Sequence, residues 1–426
     1  MTVVSKLSAA EQAIVTRAAR RLIPFMALLY FISFLDRVNV GFAALTMNED
    51  IGLSASAYGF GAGIFFIGYF LFEVPSNLIM KKVGARIWIA RIMISWGILS
   101  AATAFVTGPV SFWIVRFLLG IAEAGFFPGM ILYLTFWFPK EVRGRVMAGF
   151  LIAVPLSSAI GAPLSTLLLD TRIFGLAGWQ SMFLVEAIPA LLLGIAVLFL
   201  LPNGPQDAKF LSEDERNTLL SLLAREQDAA PHSSLRAGLS SPAVWRYAFI
   251  YLGLVAGLYG FSFWSPQMIK AMGDLSNVEV GLLSITPFAL GALAMRYWGR
   301  RSDRFQGGAF YLVAPALLGA FGFFAAAASG EPAVILAMFT VAALGIYAAL
   351  PVFWGRPAAM LTGAAAAGGI ALINSIGNLG GYIGPFAVGW LHDQTGGYAA
   401  GMIALGAGLL AAGLLAIDRR KPGGNA

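Results

Sequence analysis

Three features of the sequence predict an all-α integral membrane protein, with twelve transmembrane helices in two six-helix bundles and both termini in the cytoplasm. The chain is 59% hydrophobic and only 12% charged over 426 residues, a balance no water-soluble domain of that size keeps. Apolar runs of about twenty residues, enough to cross a ~30 Å hydrocarbon core as a helix, recur twelve times. All but five of the 28 lysines and arginines lie at one set of helix ends and loops, the asymmetry that places the termini inside.

The runs are 22–44, 57–80, 86–107, 110–137, 144–168, 181–201, 245–270, 278–298, 308–329, 333–361, 366–391 and 398–417. Ala18-Ala19-Arg20-Arg21 enters the first run without a small-residue cleavage pattern, so Leu22 onward is expected to be a span and not a signal peptide. The longest polar interruption divides six runs from six, giving bundles over 1–201 and 244–426 and a cytoplasmic linker over 202–243. Within the linker, Ser212-Glu213-Asp214-Glu215 reads as a capping box ahead of Leu219, Leu220, Leu222 and Leu223, hence an amphipathic helix along the inner surface. Gly84-Ala85-Arg86 after the second run and Gly299 to Arg304 after the eighth hold equivalent places in the two halves, as inverted or parallel repeats would.

Composition also excludes chemistries. There is no cysteine, and the two histidines are His232 and His392, so disulfides, thiolate chemistry and histidine metal sites have nothing to build from, and no metal or cofactor is expected. Neither His-Glu-x-x-His nor a Walker-type Gly-x-x-x-x-Gly-Lys-Ser/Thr occurs, which argues against an enzyme or an ATP-driven pump. The net charge of +7 is a topology signal and does not point to nucleic acid.

Against this background the charges inside the runs stand out, because ionisable groups in lipid are costly and seldom lack a task. Asp36 and Arg37 are adjacent in the first run, and Arg116 and Glu123 lie in the fourth. At about 1.5 Å of rise per residue, Asp36 and Arg37 sit roughly 8 Å below the outer face and Arg116 roughly 10 Å below it. Glu123 is two turns further in, on nearly the same face as Arg116, among Gly120, Ala122, Ala124 and Gly125, which permit close helix approach. A guanidinium stays ionised and presents a fork matched to carboxylate. Asp36 and Glu123 could balance the arginines in the empty site and release them on protonation, which suggests proton-coupled entry of an organic anion. The alternative is a buried ion pair that only holds helices together.

Other residues carry two readings. Glu73, just before Pro75-Ser76-Asn77, is a loop contact or a transport residue; Glu186 is read as structural. Arg356 counts past the inner face, as an anchor, yet Pro351 and Pro357 flank it and a bend would turn it toward the cavity. Tyr69 is near mid-membrane and Tyr259 is at the level of Arg116. Asn374 and Asn378 form an i, i+4 pair that either faces substrate or bonds a neighbouring helix. Trp354 either stacks on substrate or packs. Gly380, Gly381, Gly384 and Pro385 suit a seam that flexes.

Phe34-Leu35-Asp36-Arg37-Val38-Asn39, Phe72-Glu73-Val74-Pro75-Ser76-Asn77, Arg116 to Glu123 with Phe127-Pro128-Gly129, and Gly369 to Gly384 resemble the anion:cation symporter family of the major facilitator superfamily. The stretch from Asp36 to Ala43 together with Gly59 to Asn77 most resembles its bacterial tartrate and phthalate transporters. The resemblance implies the major facilitator fold, alternating access and uptake of carboxylates with protons. It also implies protonatable acids at Asp36 and Glu123, substrate-linked arginines at Arg37 and Arg116, and a sugar-acid site lined by Tyr69, Trp354 and Asn374. The chain departs from the sugar-acid pattern at Phe34, Val154 and Arg356, which favours a dicarboxylate or an aromatic acid over a polyol monoacid. Met80-Lys81-Lys82-Val83-Gly84-Ala85-Arg86 lacks the superfamily's usual aspartate, whereas Ser302-Asp303-Arg304 keeps it, so gating contacts through Arg86, Asp303 and Arg304 are expected to be asymmetric.

The sequence therefore predicts a proton-coupled symporter that imports a small organic anion across the bacterial inner membrane. Its expected partners are the anion, protons and the lipid bilayer, and it is expected to work as a monomer. Tartrate or another dicarboxylate or hydroxy acid is the first expectation, and an aromatic carboxylate such as phthalate or hydroxyphenylacetate is the alternative. A drug exporter of the same fold and a non-transporting receptor are weaker readings.

Overall fold

The computed structural model describes residues 7–139, 142, 151–173, 175–227, 240–305, 308–360 and 363–417. These residues form α1 (Ala9–Asp50), α2 (Ala55–Val83), α3 (Ala85–Ala102), α4 (Pro109–Glu123), α5 (Phe126–Thr135), α6 (Ala153–Leu169), α7 (Gly178–Leu200), α8 (Glu213–Gln227), α9 (Pro242–Lys270), α10 (Asn277–Arg304), α11 (Phe310–Ala328), α12 (Pro332–Met360), α13 (Gly363–Asn378), α14 (Gly380–Thr395) and α15 (Ala399–Leu415). Among the described residues, nine helices are long and apolar enough to cross a membrane. Residues 144–150 of the expected fifth run lie outside the described residues.

Helix ends follow local chemistry. α1 starts thirteen residues before the apolar run because Ser8 and Glu11 close a capping box: Ser8 Oγ accepts from the Glu11 amide at 3.2 Å and Glu11 Oε2 accepts from the Ser8 amide at 2.7 Å. The linker box does the same for α8, with Ser212 Oγ accepting from the Glu215 amide at 3.3 Å. This helix lies against α1 through an Arg17–Glu215 ion pair at 2.7 Å.

Two apolar runs are not single helices. The fourth breaks between α4 and α5, where Gly125 takes a left-handed φ of +84°. A side chain there would be strained and would also strike Ser76, whose Oγ lies 2.3 Å from the position of an added methyl. The eleventh breaks at Leu379, between α13 and α14.

Connections 50–55, 102–109, 169–178, 270–277, 328–332 and 395–399 gather at one end of the helices, called here the far end; the opposite, lysine- and arginine-rich end is the basic end. Three seams join the helices before α8 to those after it: α1 with α9, α2 with α14, and α6 with α10. They are tightest toward the far end. A methyl on Gly59 would meet the Pro385 carbonyl oxygen at 2.5 Å, and one on Gly281 would meet Thr166 Oγ1 at 2.0 Å. Polar links reinforce the closure. Asp393 of α14 accepts from the Ala55 and Ser56 amides that open α2 (3.2 and 2.8 Å). Asn277 Nδ2 donates to Asp170 Oδ1 at 3.2 Å.

Candidate functional site

Behind this closure lies a cavity between the halves, lined by Tyr30, Phe34, Arg37, Phe66 and Tyr69 from α1 and α2, Phe127 from α5, and Leu151 and Val154 around the start of α6. Tyr251, Val255, Leu258, Tyr259, Met295, Leu350, Trp354, Asn374 and Asn378 line it from α9, α10, α12 and α13. Its free volume is about 70 Å³, room for roughly five waters. Leu151, Met295, Leu350 and Trp354 belong to the basic-end parts of their helices, so the cavity extends toward that end.

Arg37 is its cation. The guanidinium is 6% exposed and pairs with Glu123, the last residue of α4. Nη1 donates to Tyr259 Oη of the second half at 2.8 Å, and Ser33, one turn earlier on α1, donates to Glu123 Oε1 at 2.8 Å. Four rings surround the charge, with Arg37 Cζ 5.3 Å from the Phe65 centroid, 5.5 Å from Tyr69 and 5.9 Å from Phe34 and Tyr259. Such faces stabilise a desolvated cation by a few kcal/mol at most, about 0.5–2 each. The break after Glu123 also leaves α4 carbonyls without partners, and Arg91 Nη1 donates to one of them, Ala122 O, at 3.4 Å.

The other sequence-selected charges are placed differently. Asp36 does not face Arg37: successive helical residues point about 100° apart, and Asp36 Oδ2 accepts from Trp96 Nε1 of α3 at 2.7 Å, outside the cavity wall. The expectation that Asp36 balances an arginine is corrected accordingly. Arg116 is 1% exposed and is also outside the wall. Its Nη2 donates to Ala62 O at 3.4 Å, and its Cζ lies 5.1 Å from the Phe65 centroid. The Phe65 ring thus lies close to both guanidiniums. Among the described residues Arg116 makes no ion pair with a carboxylate.

Tyr69, Tyr259, Trp354, Asn374 and Asn378 all line the cavity, as do the departures Phe34 and Val154. Trp354 meets Tyr251 edge-on at 4.9 Å. Arg356 is half-buried and does not belong to the wall. Glu73 is 6% exposed, and its Oε1 accepts from Asn374 Nδ2 across the gap between α2 and α13. Glu186 accepts from Asn39 Nδ2 at 2.9 Å and Ser165 Oγ at 2.7 Å, tying α7 to α1 and α6. At the basic end, the Arg86 amide donates to Asn203 Oδ1 at 3.0 Å, while Asp303 and Arg304 are exposed.

Sequence reasoning missed Ser33, Phe65, Trp96 and Tyr251. Ser33 carried a usable signal, since it is four residues before Arg37 on the same helix face; the other three have none, because apolar and aromatic residues fill every span.

A cation in an aromatic-lined cavity between two helical halves defines a multi-pass membrane transporter of a small molecule. The family model of the Major Facilitator Superfamily matches residues 26–358, and the chain belongs to that superfamily. It is 52% identical over 392 residues, 91% of this chain and 87% of the relative, to an Agrobacterium vitis protein named "Putative tartrate transporter". It is 41% identical over 394 residues, 92% of this chain and 91% of the relative, to the "Quinolone resistance transporter" of Acinetobacter baumannii. The fold is similar to that of the xylose transporter XylE from E. coli, with a TM-score of 0.73, 15% identity, and coverage of 93% of this chain and 96% of that one.

Proposed function

We propose that the chain is a proton-coupled symporter that imports a small carboxylate, tartrate or another dicarboxylate or hydroxy acid, across the bacterial inner membrane by alternating access. The observation that carries this reading is the pairing of Arg37 with Glu123 inside the cavity, bridged to the second half by Tyr259. A carboxylate substrate competes with Glu123 for the same fork. Protonation of Glu123 releases Arg37 to substrate and neutralises an acid that would otherwise be buried unpaired, a state that costs several kcal/mol, roughly 3–5. Asp36, held by Trp96 on the neighbouring helix face, is the second proton carrier. Arg116 adds long-range attraction from outside the cavity wall.

The twelve spans comprise the nine long apolar helices, the shorter α6 and α15, and the broken pair α13 and α14. They form bundles over 1–201 and 244–426, joined by the linker 202–243 with its helix α8. Both termini are cytoplasmic, so the basic end faces inward, the far end is the closed outer gate and the cavity faces in. Arg86, Asp303 and Arg304 come together when the inner gate closes. The seams α1–α9, α2–α14 and α6–α10 are all between bundles, so one chain holds the complete site and works as a monomer.

The relative named for quinolone resistance supports a second reading, export of carboxylate-bearing drugs. The free space of about 70 Å³ suits a compact acid and would have to open for a drug-sized one. An aromatic acid such as phthalate stays between these limits. The test is uptake of radiolabelled tartrate into proteoliposomes, with and without an inward proton gradient, challenged by unlabelled phthalate, galactonate, glucuronate and hydroxyphenylacetate. Gradient-dependent uptake displaced by unlabelled tartrate or a competing acid is expected. Uptake indifferent to the gradient removes proton coupling, and quinolone resistance on expression without any acid uptake replaces import with export.

A further inference from the structure

Glu73 lies four residues after Tyr69, one turn nearer the basic end, and its carboxylate crosses to the opposite half to take the side-chain amide of Asn374, a residue of the cavity wall. Its second oxygen, Oε2, is buried beside the Asn378 side chain without a well-formed hydrogen bond. A carboxylate placed only to clamp two helices would be expected to have both oxygens satisfied. Half-satisfied, Glu73 resembles a group holding a place. The arrangement repeats at the other end of Tyr69: Arg37, 5.5 Å from that ring, is held by Glu123. Two polar groups of the cavity wall are thus held by internal carboxylates, Arg37 by one from α4 and Asn374 by one from α2.

We propose that Glu73 sets the substrate class: it stands in for a second carboxylate of the transported anion, which displaces it from Asn374 as the first carboxylate displaces Glu123 from Arg37. This rests on the reading of Arg37 as the anion site. The chemistry selects against a hydroxyl arm, because hydrogen bonds to an ionised acceptor are roughly twice as strong as neutral ones. A hydroxyl cannot displace Glu73 without loss, whereas a carboxylate replaces like with like, a proton neutralising the displaced Glu73 as it does Glu123. Arg37 Cζ is 5.5 Å from the Tyr69 ring, and Glu73 follows Tyr69 by one helical turn of about 5.4 Å. A four-carbon diacid holds its carboxyl carbons about 4 Å apart across three C–C bonds of about 1.5 Å, and hydrogen bonds of about 2.9 Å at each end extend its reach to roughly 10 Å. A monoacid fills Arg37, leaves Glu73 on Asn374 and gains nothing from the second place. Asn378, one turn beyond Asn374 on the same wall, is positioned to take the remaining oxygen of the second carboxylate.

The test is calorimetric binding of matched acids to the purified full-length chain in detergent, which requires no transport: tartrate against glycerate, succinate against butyrate, and phthalate against benzoate. The diacid of each pair is expected to bind about tenfold tighter or more, a factor that corresponds to one charge-assisted contact. Glu73→Gln removes the competitor and is expected to tighten diacids about tenfold and monoacids about threefold or less, the smaller gain reflecting loss of a nearby negative charge. Asn374→Ala is expected to abolish the preference within each pair. Equal affinities within the wild-type pairs, with binding still lost in Arg37→Ala, overturn the role of Glu73 alone. So does a Glu73→Gln protein that binds both acids more weakly. If wild type binds neither acid, or binds them independently of Arg37, the anion site itself falls and this inference with it. The wild-type pairs decide the matter even if a variant does not fold.

Discussion

The far-end seam and the Arg37 cavity join the same two halves by opposite means. At the seam, glycines bring backbone against backbone, as at Gly59 and Pro385, and the one carboxylate among its crossing links to α2, Asp393, is satisfied by two amides, while the neutral Asn48 and Gln267 share a single bond and each keep one unpartnered atom. Around the cavity the charged groups are buried and only partly served: Asp36 Oδ1, Arg37 Nε, Glu73 Oε2 and Arg116 Nε make no well-formed hydrogen bond. Close packing of small residues gives a closure that any added bulk opposes. Under-satisfied charge gives a region whose energy falls when a ligand or proton arrives. One region resists change of shape and the other invites change of charge, which is the division of labour a gated carrier requires.

The largest effect is expected at Arg37. Arg37→Ala should abolish uptake and also destabilise the protein by about 3–5 kcal/mol, because Glu123 is left buried without its cation. Adding Glu123→Gln should restore thermal stability but not uptake; if the double variant melts as low as the single one, the pair is not what joins charge to stability here. Arg37→Lys should fold and bind substrate more weakly, since a point charge cannot reproduce the fork, and wild-type affinity would remove the substrate role.

Next comes the seam. Gly59→Val forces a side chain into the Pro385 carbonyl and should shift the population toward an open far end. The chain contains no cysteine, so a single Val255→Cys in the cavity wall reports the opening directly. Labelling by a membrane-impermeant maleimide from the far-end side should rise severalfold in the Gly59→Val background; unchanged labelling would mean the seam does not control access.

Asp36→Asn and Glu123→Gln should lose gradient-driven accumulation while retaining binding or exchange, measured as counterflow of labelled substrate. Accumulation that still follows the pH gradient in both variants would sink their assignment as proton carriers. The smallest effect is expected at Arg356, which is outside the cavity wall: Arg356→Leu should change substrate affinity by less than about twofold, whereas altered substrate choice would place it in the site after all.

Much of this architecture was legible in the amino-acid sequence because hydrophobic runs and basic loops are imposed by the bilayer itself. The buried charges were legible for the same reason: Asp36, Arg37, Arg116 and Glu123 have few reasons to stand in apolar runs. What was not legible is which group faces which. The depth count put Arg37 and Asp36 on one level, but the 100° between them sends Asp36 to Trp96 and Arg37 to Glu123. Phe65 lies close to both arginines without any pattern that marks it among 33 phenylalanines. The break at Gly125 falls inside a run that the sequence reads as one span, and the left-handed backbone reveals it. Glu73 stood out by charge, and its partner Asn374 is 301 residues away, a pairing set by how the halves dock.

The measurement that tests the central claim most directly is proton movement itself. Proteoliposomes loaded with a pH-sensitive dye, at equal internal and external pH, receive external tartrate. The symport reading predicts immediate acidification of the lumen, absent with Glu123→Gln. Tartrate accumulation without acidification would contradict it.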